Sequence, residues 1–491
     1  MNFERFSQLA MTYSTVPVYE RMTADFLTPV SAYLRLRENG KNCFLFESVE
    51  GIGTLARYSF IGINPEQVLS NRGMNLTISE NGKKNLLQMN IFELLKEKIS
   101  KSNAPQLDDM PDFTGGFVGY FGFENVSLIE NCLEFDSNDE LNFPDSVFGL
   151  YNTLVVFDHL KHQIIIIHNV GIRKDGDIFG QFTSAKKIIE NIRQGLLKLY
   201  SYKSDFLLLK NGEINSEEEF LPLVVKAKEH IYKGDVFQLV LSRRFHSGYK
   251  GDLFNVYRAL RIINPSPYMY FIEFEDDINI IGTSPEDLLK VKDGKAAILP
   301  IAGTRIRGKD SAEDARLSSE LLKDPKEIAE HVMLVDLARN DLGRVCKFGS
   351  VKQTEEMNVH FFSHVMHLVS RVEGTLRDGM NCIDALKASF PAGTVTGAPK
   401  IRAMQLINDY ESVKRNIYAG AVGYVDFKGN LDMCIAIRTL FADSEKIYWQ
   451  AGAGIVADSI PEKESDEIKN KSAVLVNALK FAEVIDENSC N

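Results

Sequence analysis

The chain has 491 residues, 44% of them apolar and 25% charged, with a formal net charge of −11. That length suits one large two-lobed fold or roughly two to four ordinary domains. The acidic balance excludes a general binder of nucleic acid or anionic membranes, which needs clustered Lys and Arg, but leaves room for a small anionic substrate held by a local positive site. Six cysteines (Cys43, Cys132, Cys346, Cys382, Cys434 and Cys490) contain no Cys-x-x-Cys pair. They form neither a zinc framework nor a secreted disulfide scaffold, so a cytoplasmic, reducing setting is expected. The opening Met1-Asn-Phe-Glu-Arg-Phe lacks the basic and apolar regions of a signal peptide.

Residues 1 to about 200 alternate strand-like and helical segments. Ile164 to Ile167 is a short apolar run of buried-strand type. Phe113-Thr-Gly-Gly-Phe-Val-Gly-Tyr-Phe-Gly-Phe123 is rich in glycine and aromatics without the Lys-Ser/Thr ending of a phosphate loop, and reads as a packing element. Ser201 to Asn215, ending in the turn-like Lys210-Asn-Gly212, marks a boundary between regions 1–205 and 206–491. Ser216-Glu-Glu-Glu219 then reads as a capping box. Phe220, Val224, Ala227 and Ile231 recur at helical spacing, Gly234 stops that helix, and Val236 to Phe245 follows as a strand.

Leu288 to Val291 and Ala296 to Ile301 form a predicted hairpin around Lys-Asp-Gly. Glu327-Ile-Ala-Glu330-His331 opens a helix running to Asp341. His364 and His367 follow in a short segment, where a structural role is commoner than a catalytic one. Gly393-Thr-Val-Thr-Gly-Ala-Pro-Lys400 has the wrong glycine spacing for a phosphate loop, yet could present free N–H groups to an anion. Tyr418 to Phe427 and Leu431 to Leu440 form a second predicted hairpin, placing Tyr418 and Arg438 on facing strands. There they could clamp a carboxylate. Gln450-Ala-Gly-Ala-Gly-Ile455 offers backbone to a ligand. There is no βαβ rhythm, so the predicted class is α+β, with large, mostly antiparallel sheets and flanking helices.

Two acidic motifs carry the strongest chemical signal. Glu327 and Glu330, and again Glu464 and Glu467, sit three residues apart in helical contexts. That spacing puts both carboxylates of a pair on one face. Two such faces brought together would repel unless a hard cation such as Mg²⁺ lay between them, holding an anionic substrate. Exposed pairing with Lys326 and Lys463 is the ordinary alternative.

In combination, several peptides closely resemble anthranilate synthase component I, of the chorismate-binding enzymes. They are Phe46-Glu-Ser48, Arg57-Tyr-Ser-Phe-Ile-Gly62, Asn264-Pro-Ser-Pro-Tyr-Met269, Pro300-Ile-Ala-Gly-Thr-Arg305, Glu330 to Asp341, Gly393 to Lys400 and Gln450 to Lys471. The resemblance implies two large antiparallel sheets packed face to face, with a cleft in region 206–491 that binds chorismate. It also implies Mg²⁺ held by Glu330 and Glu467, with Glu327 and Glu464 acting through water. Tyr418, Arg438 and the backbone of Gly452, Ala453 and Gly454 would hold the enolpyruvyl carboxylate. Glu286 would be the acid that protonates the departing hydroxyl. His367 and Thr394 would lie next to the reacting ring, Gly303 and Thr304 would bind the substrate, and Lys471 would approach the metal-bound carboxylate.

Single positions bear on the reaction. Related isochorismate and salicylate synthases carry a lysine base where Gln238 stands, and aminodeoxychorismate synthase a lysine nucleophile where Ala302 stands. Both positions favour attack by ammonia and an anthranilate product, with pyruvate lost in a second step. Aminodeoxychorismate synthesis and a non-catalytic relative are the alternatives. No cysteine lies in a Gly-x-Cys-x-Gly turn, so the resemblance implies a separate glutamine amidotransferase subunit. Leu45-Phe-Glu47-Ser48, in region 1–205, resembles half of a tryptophan feedback site. Asn264, Pro265, Ser266, Pro267, Tyr268 and Met269 would form its other wall.

Overall fold

The computed structural model describes the chain outside residues 38–41, 49–56, 136–138, 140, 174–175, 201, 203–204, 214–215, 362–364 and 487–491. His364 and Cys490 therefore lie outside the described residues, as does the side chain of Thr304. Alternating apolar residues build two large antiparallel sheets. The first runs, in spatial order, Thr15–Thr23, Gln163–Gly171, Thr153–Asp158, Tyr58–Ile63, Cys43–Glu47, Tyr268–Glu273, Asn279–Ser284, Thr439–Ala442, Lys446–Ile455, Gln238–Lys250 and Leu207–Glu213. The second runs Ile301–Ile306, Val365–Thr375, Lys295–Ile298, Asp287–Lys292, Leu431–Ile435, Ala421–Asp426, Gly116–Phe121, Ser146–Tyr151, Gln67–Arg72, Asn75–Glu80 and Lys83–Gln88.

Each sheet interleaves strands from both ends of the chain. Cys43–Glu47 pairs with Tyr268–Glu273, and Gly116–Phe121 pairs with Ala421–Asp426. Between the sheets lies an aromatic core that includes Phe44, Phe113, Tyr120, Tyr151 and Tyr270. Helices Ile178–Leu197, Phe254–Ile263 and Pro461–Val484 pack on the outer face of the first sheet. Among the described residues no helix is long and apolar enough to cross a membrane.

The glycine-aromatic peptide is the packing element its composition predicts. Gly116–Phe121 is buried throughout. A Cβ on Gly119 would lie 1.9 Å from the carbonyl oxygen of Val147, a backbone atom in the paired strand. Backbone cannot swing aside as a side chain can, so Gly119→Ala is expected to cost about 3 kcal/mol. A urea titration showing an unchanged midpoint would contradict this.

Local signals in the middle of the chain are realised. Ser216 and Glu219 form the reciprocal capping box of helix Glu217–Lys233, and Gly234 ends it at φ 81°. The first predicted hairpin turns at Asp293 and Gly294, both at positive φ. Its second strand stops at Ile298, and Ile301–Ile306 is a separate strand paired with Val365–Thr375.

Two expectations need correction. Lys210-Asn-Gly212 is not a turn: it lies within strand Leu207–Glu213, and the register breaks between Leu208 and Asn211. The bulge lets Gly212 pack under the ring of His246, where a Cβ would meet Cε1 at 2.6 Å. The second predicted hairpin is real only over Ala421–Asp426 and Leu431–Ile435. After Ile435 the chain leaves the second sheet and enters the first as Thr439–Ala442. Tyr418 and Arg438 are thus not on facing strands. Tyr418 precedes the hairpin, and Arg438 sits in the crossover between sheets at φ 50°.

Candidate active site

Two helices deliver the carboxylates. Helix Pro325–Gly343 starts at Pro325, and the Asp324 side chain accepts from the N–H groups of Lys326 and Glu327. Helix Pro461–Val484 carries Glu464 and Glu467. The two pairs face each other. Burial raises the Glu330 carboxyl above its ordinary value, and repulsion from Glu327 on its own helix and Glu467 on the other adds to that. Burial likewise raises Glu464, with Glu467 contributing.

Cations partly balance this charge. Arg305 donates to Glu327 at 3.1 Å and to Asp324 at 2.8 Å, and Lys471 pairs with Glu467 at 2.7 Å. Among the described residues no three acidic, His or Cys groups close on a common point as a metal cage does. The donor set still fits a hard divalent ion: Glu330 has no hydrogen-bond partner among the described residues, and like charges from two helices meet where only a cation relieves them.

The crossover supplies the opposite pole. Arg438 is half-buried, its carbonyl accepts from Thr283 N at 3.2 Å, and among the described residues its guanidinium forms no ion pair, although it shares a hollow with Asp466, Glu467 and Lys471. Burial lowers its pKa, opposed by Tyr418. A half-buried guanidinium without an ion-pair partner suits an anionic ligand. Tyr418 reaches the same place, its hydroxyl 2.6 Å from where a Cβ on Gly452 would stand. Gly452, Ala453 and Gly454 lie opposite Ser242, Leu241 and Val240 in the strand pair. Lys471 Nζ donates to the carbonyl of Gly452 at 2.9 Å, linking the glycine strand to the acidic helix. Gln238 packs against Gly454, and its Oε1 is buried without a hydrogen-bond partner.

Glu286 follows strand Asn279–Ser284. Its backbone is fixed by Ile435, whose N–H donates to the Glu286 carbonyl at 3.0 Å and whose carbonyl accepts from Ser284 Oγ at 2.7 Å. Burial pushes the Glu286 carboxyl up to about 8; Asp287 adds to this, while Thr394 and Lys471 pull it down. The group is therefore a carboxylic acid near neutrality. Thr394 sits in the 3-10 turn Gly393–Val395. His367 lies in strand Val365–Thr375, opposite Thr304, and donates from Nδ1 to the carbonyl of Gly303 at 3.2 Å. Burial lowers its pKa, leaving a neutral ring able to accept a proton. Gly303, at φ 66°, has Glu327 Oε2 3.1 Å from its Cβ position, which brings the histidine strand up to the carboxylates.

A buried network that sequence reasoning missed supports this cleft. Arg415 donates to Glu411 through Nε and Nη2, both at 2.7 Å, and to the carbonyls of Val395 and Val240 at 2.7 and 2.8 Å. Its guanidinium stacks 5.7 Å from the Tyr418 ring. Glu411 also accepts from Ser242 N and Oγ. The i,i+4 spacing of Glu411 and Arg415 was the available signal.

A second cavity, of about 100 Å³, lies between the sheets away from this cleft. Phe46, Glu47, Ser48, Pro267, Tyr268 and Met269 line it, joined by Tyr58, Phe60, Tyr424 and Asp432, although the Glu47 carboxylate is held on the far side of the strand. Strand alternation sends the Leu45 and Glu47 side chains to the other face of the sheet. Leu45 is buried in the outer core, and Glu47 accepts from Tyr257 Oη and from Arg261 Nε at 3.0 Å. Asn264, Pro265 and Ser266 stand beside the cavity rather than in its lining. The Asn264 carbonyl accepts from Thr283 Oγ1, so one residue links this loop to Arg438.

The chain belongs to the chorismate binding enzyme family, whose model matches residues 41–477, and acts on chorismate. Among its relatives, anthranilate synthase component 1 of Acetivibrio thermocellus is 44% identical over 484 residues, 96% of this chain and 97% of that protein. The Aquifex aeolicus protein of the same name is 43% identical over 496 residues, 99% of each. The crystal structure of anthranilate synthase component I from Streptococcus pneumoniae superposes with a TM-score of 0.76 at 38% identity, covering 93% of this chain and 99% of that one.

Proposed function

We propose that the chain is the chorismate-using subunit of an anthranilate synthase, joining ammonia to chorismate and then eliminating pyruvate, in tryptophan biosynthesis. The observation that carries this is the polarity of the cleft. The acidic helices hold four carboxylates, and beside Glu467 lies a half-buried arginine that forms no ion pair among the described residues. A dianionic substrate, with one carboxylate drawn to each pole, satisfies both. Glu327, Glu330, Glu464 and Glu467 would hold Mg²⁺, which when bound supplies a Lewis acid for the ring carboxylate.

Arg438 and Tyr418 grip the enolpyruvyl carboxylate, with Gly452, Ala453 and Gly454 giving it backbone to lie on. Glu286 gives its proton to the departing ring hydroxyl. The Gln238 Oε1 accepts an N–H of the incoming ammonia and, as a neutral amide, does not activate water. His367, neutral and beside the ring, takes the proton released when pyruvate leaves and the ring becomes aromatic. Thr394 stands with it around the ring. Ala302 cannot form the covalent adduct of an aminating lysine, which disfavours aminodeoxychorismate as product.

The component name of the relatives supports a second subunit that releases ammonia from glutamine. Cys43, Cys132, Cys346, Cys382 and Cys434 are all unbridged, which suits the cytoplasm. The reading is tested by incubating the chain with chorismate, Mg²⁺ and ammonium. Anthranilate and pyruvate in equal amounts, abolished by a chelator, are expected. Aminodeoxychorismate without pyruvate would overturn it.

The aromatic cavity at Phe46 and Ser48 is the proposed tryptophan feedback site. Phe46 narrows it relative to a leucine there. Ser48→Arg would place a long cation in about 100 Å³. Tryptophan inhibition of that variant is expected to weaken at least about tenfold, roughly 1.4 kcal/mol of lost binding, with uninhibited activity retained. An unchanged inhibition curve would remove the cavity from this role.

A further inference from the structure

Two hydrogen-bonded links join the wall of the aromatic cavity to the crossover that carries Arg438. Tyr270 lines the cavity, as does Cys434. Tyr270 stands opposite Gly282 in the next strand, and Gly282 stands opposite Thr439 in the strand after that. A Cβ on Gly282 would overlap the Tyr270 ring at Cζ and Oη. With no side chain there, the ring lies across the middle strand, and its hydroxyl meets Thr439 Oγ1 at 2.6 Å. Both residues are buried, Tyr270 2% and Thr439 3% exposed.

Each hydroxyl has one proton to give. Thr439 Oγ1 donates to the carbonyl of Ile437 at 2.9 Å, so the Tyr270 hydroxyl is the donor to Thr439. Tyr270 thus holds the two neighbours of Arg438 in the chain. The second link holds Arg438 itself. Its carbonyl accepts from Thr283 N, and Thr283 Oγ1 donates to the carbonyl of Asn264, in the loop that enters the cavity at Pro267. Arg438 needs such holds: it is a non-glycine residue at φ 50°, a conformation kept where the surroundings over-determine it.

We infer that Tyr270 and Thr439 are positioning residues for Arg438, and that through them occupancy of the aromatic cavity is felt at the substrate clamp. The inference rests on the roles proposed for Arg438 and for the cavity, and connects the two. A molecule in the cavity lies against the Tyr270 ring. A shift of that ring alters its bond to Thr439, and with it the peptide that aims the guanidinium. The link ends at a residue that holds substrate and transfers no proton, so its loss falls on chorismate affinity and not on kcat. Coupling of this kind is reciprocal: tryptophan weakens chorismate binding by the factor by which chorismate weakens tryptophan binding.

The test measures chorismate affinity of the full chain by calorimetry, with Mg²⁺ and no ammonium, with and without saturating tryptophan. The value of kcat is measured separately with ammonium. Thr439 does not line the cavity, so Thr439→Val removes the linking hydroxyl and leaves the tryptophan contacts in place. It is expected to weaken chorismate binding at least about tenfold, with kcat within about threefold of the parent chain. Tryptophan should then change chorismate affinity less than about twofold. Thr439→Ser keeps the hydroxyl and should keep both parent values. Tyr270→Phe combined with Thr439→Val leaves no hydroxyl orphaned, yet should lose as much chorismate affinity as Thr439→Val alone, because both act through one bond. The inference is overturned by unchanged affinity in Thr439→Val, by equal loss in Thr439→Ser, or by recovery in the double variant. It is also overturned by a tryptophan effect that survives Thr439→Val or is absent from the parent chain. A parent chain that binds chorismate but makes no anthranilate fails the proposed reaction alone, because these affinities are read without turnover.

Discussion

Replacing Glu286 by glutamine is expected to lower kcat about 1,000-fold while leaving chorismate affinity within about threefold. The amide is the same size and still donates a hydrogen bond to the leaving oxygen, but it cannot release a proton. Hydroxide is a poor leaving group, so the loss falls on the chemical step. Burial pushes the Glu286 carboxyl up to about 8, and the sign of the pH dependence follows. The acid works only when protonated, so kcat/KM for chorismate should be flat below that value and decline above it, at constant free ammonia. The declining limb should vanish in the glutamine variant. Rates within tenfold of the parent chain would show that another group protonates the hydroxyl.

The largest stability effect is expected at Arg415. Its guanidinium is 1% exposed and Glu411 6%, so neither charge meets water. Truncation to alanine strands Glu411 in the core and frees the carbonyls of Val395 and Val240. Breaking one side of such a pair costs about 3–5 kcal/mol. With about 2 cal/mol/K of unfolding entropy per residue, that is a fall of roughly 3–5 °C in Tm for a chain this long. The effect also reaches the site, because Tyr418 loses the cation stacked on its ring. A calorimetric scan with an unmoved Tm would show that the pair is replaceable. Arg415→Ala together with Glu411→Ala should recover part of the loss, since removing both charges leaves none buried alone.

Sequence patterns were legible where structure is local. Glutamates at i,i+3, a Ser-Glu capping box and an Asp-Gly turn each fix a few consecutive dihedrals and need no distant partner. Tyr418 and Arg438 could be singled out from the sequence, but their relative placement could not. Nothing in Ala436-Ile-Arg438 marks the step from one sheet to the other, because the flanking segments have the same apolar alternation. Leu45 shows the same limit: the peptide points to a cavity, while the pleat turns the Leu45 side chain into the outer core. The Arg415 network was missed for a different reason, with only the i,i+4 spacing of Glu411 and Arg415 to hint at it. Buried polar groups are specified by partners such as Ser242 and Val240, more than 160 residues away.

The interleaving of the two sheets also sets an order of events during synthesis. Strand Gly116–Phe121 must wait for Ala421–Asp426, which leaves the ribosome some 300 residues later. At about 5–20 residues per second, that is roughly 15–60 s. Cys43–Glu47 waits similarly for Tyr268–Glu273. For that interval the nascent first half presents apolar strand edges that no later segment yet covers. The burden of keeping this enzyme soluble thus falls on the growing chain, before any cleft exists.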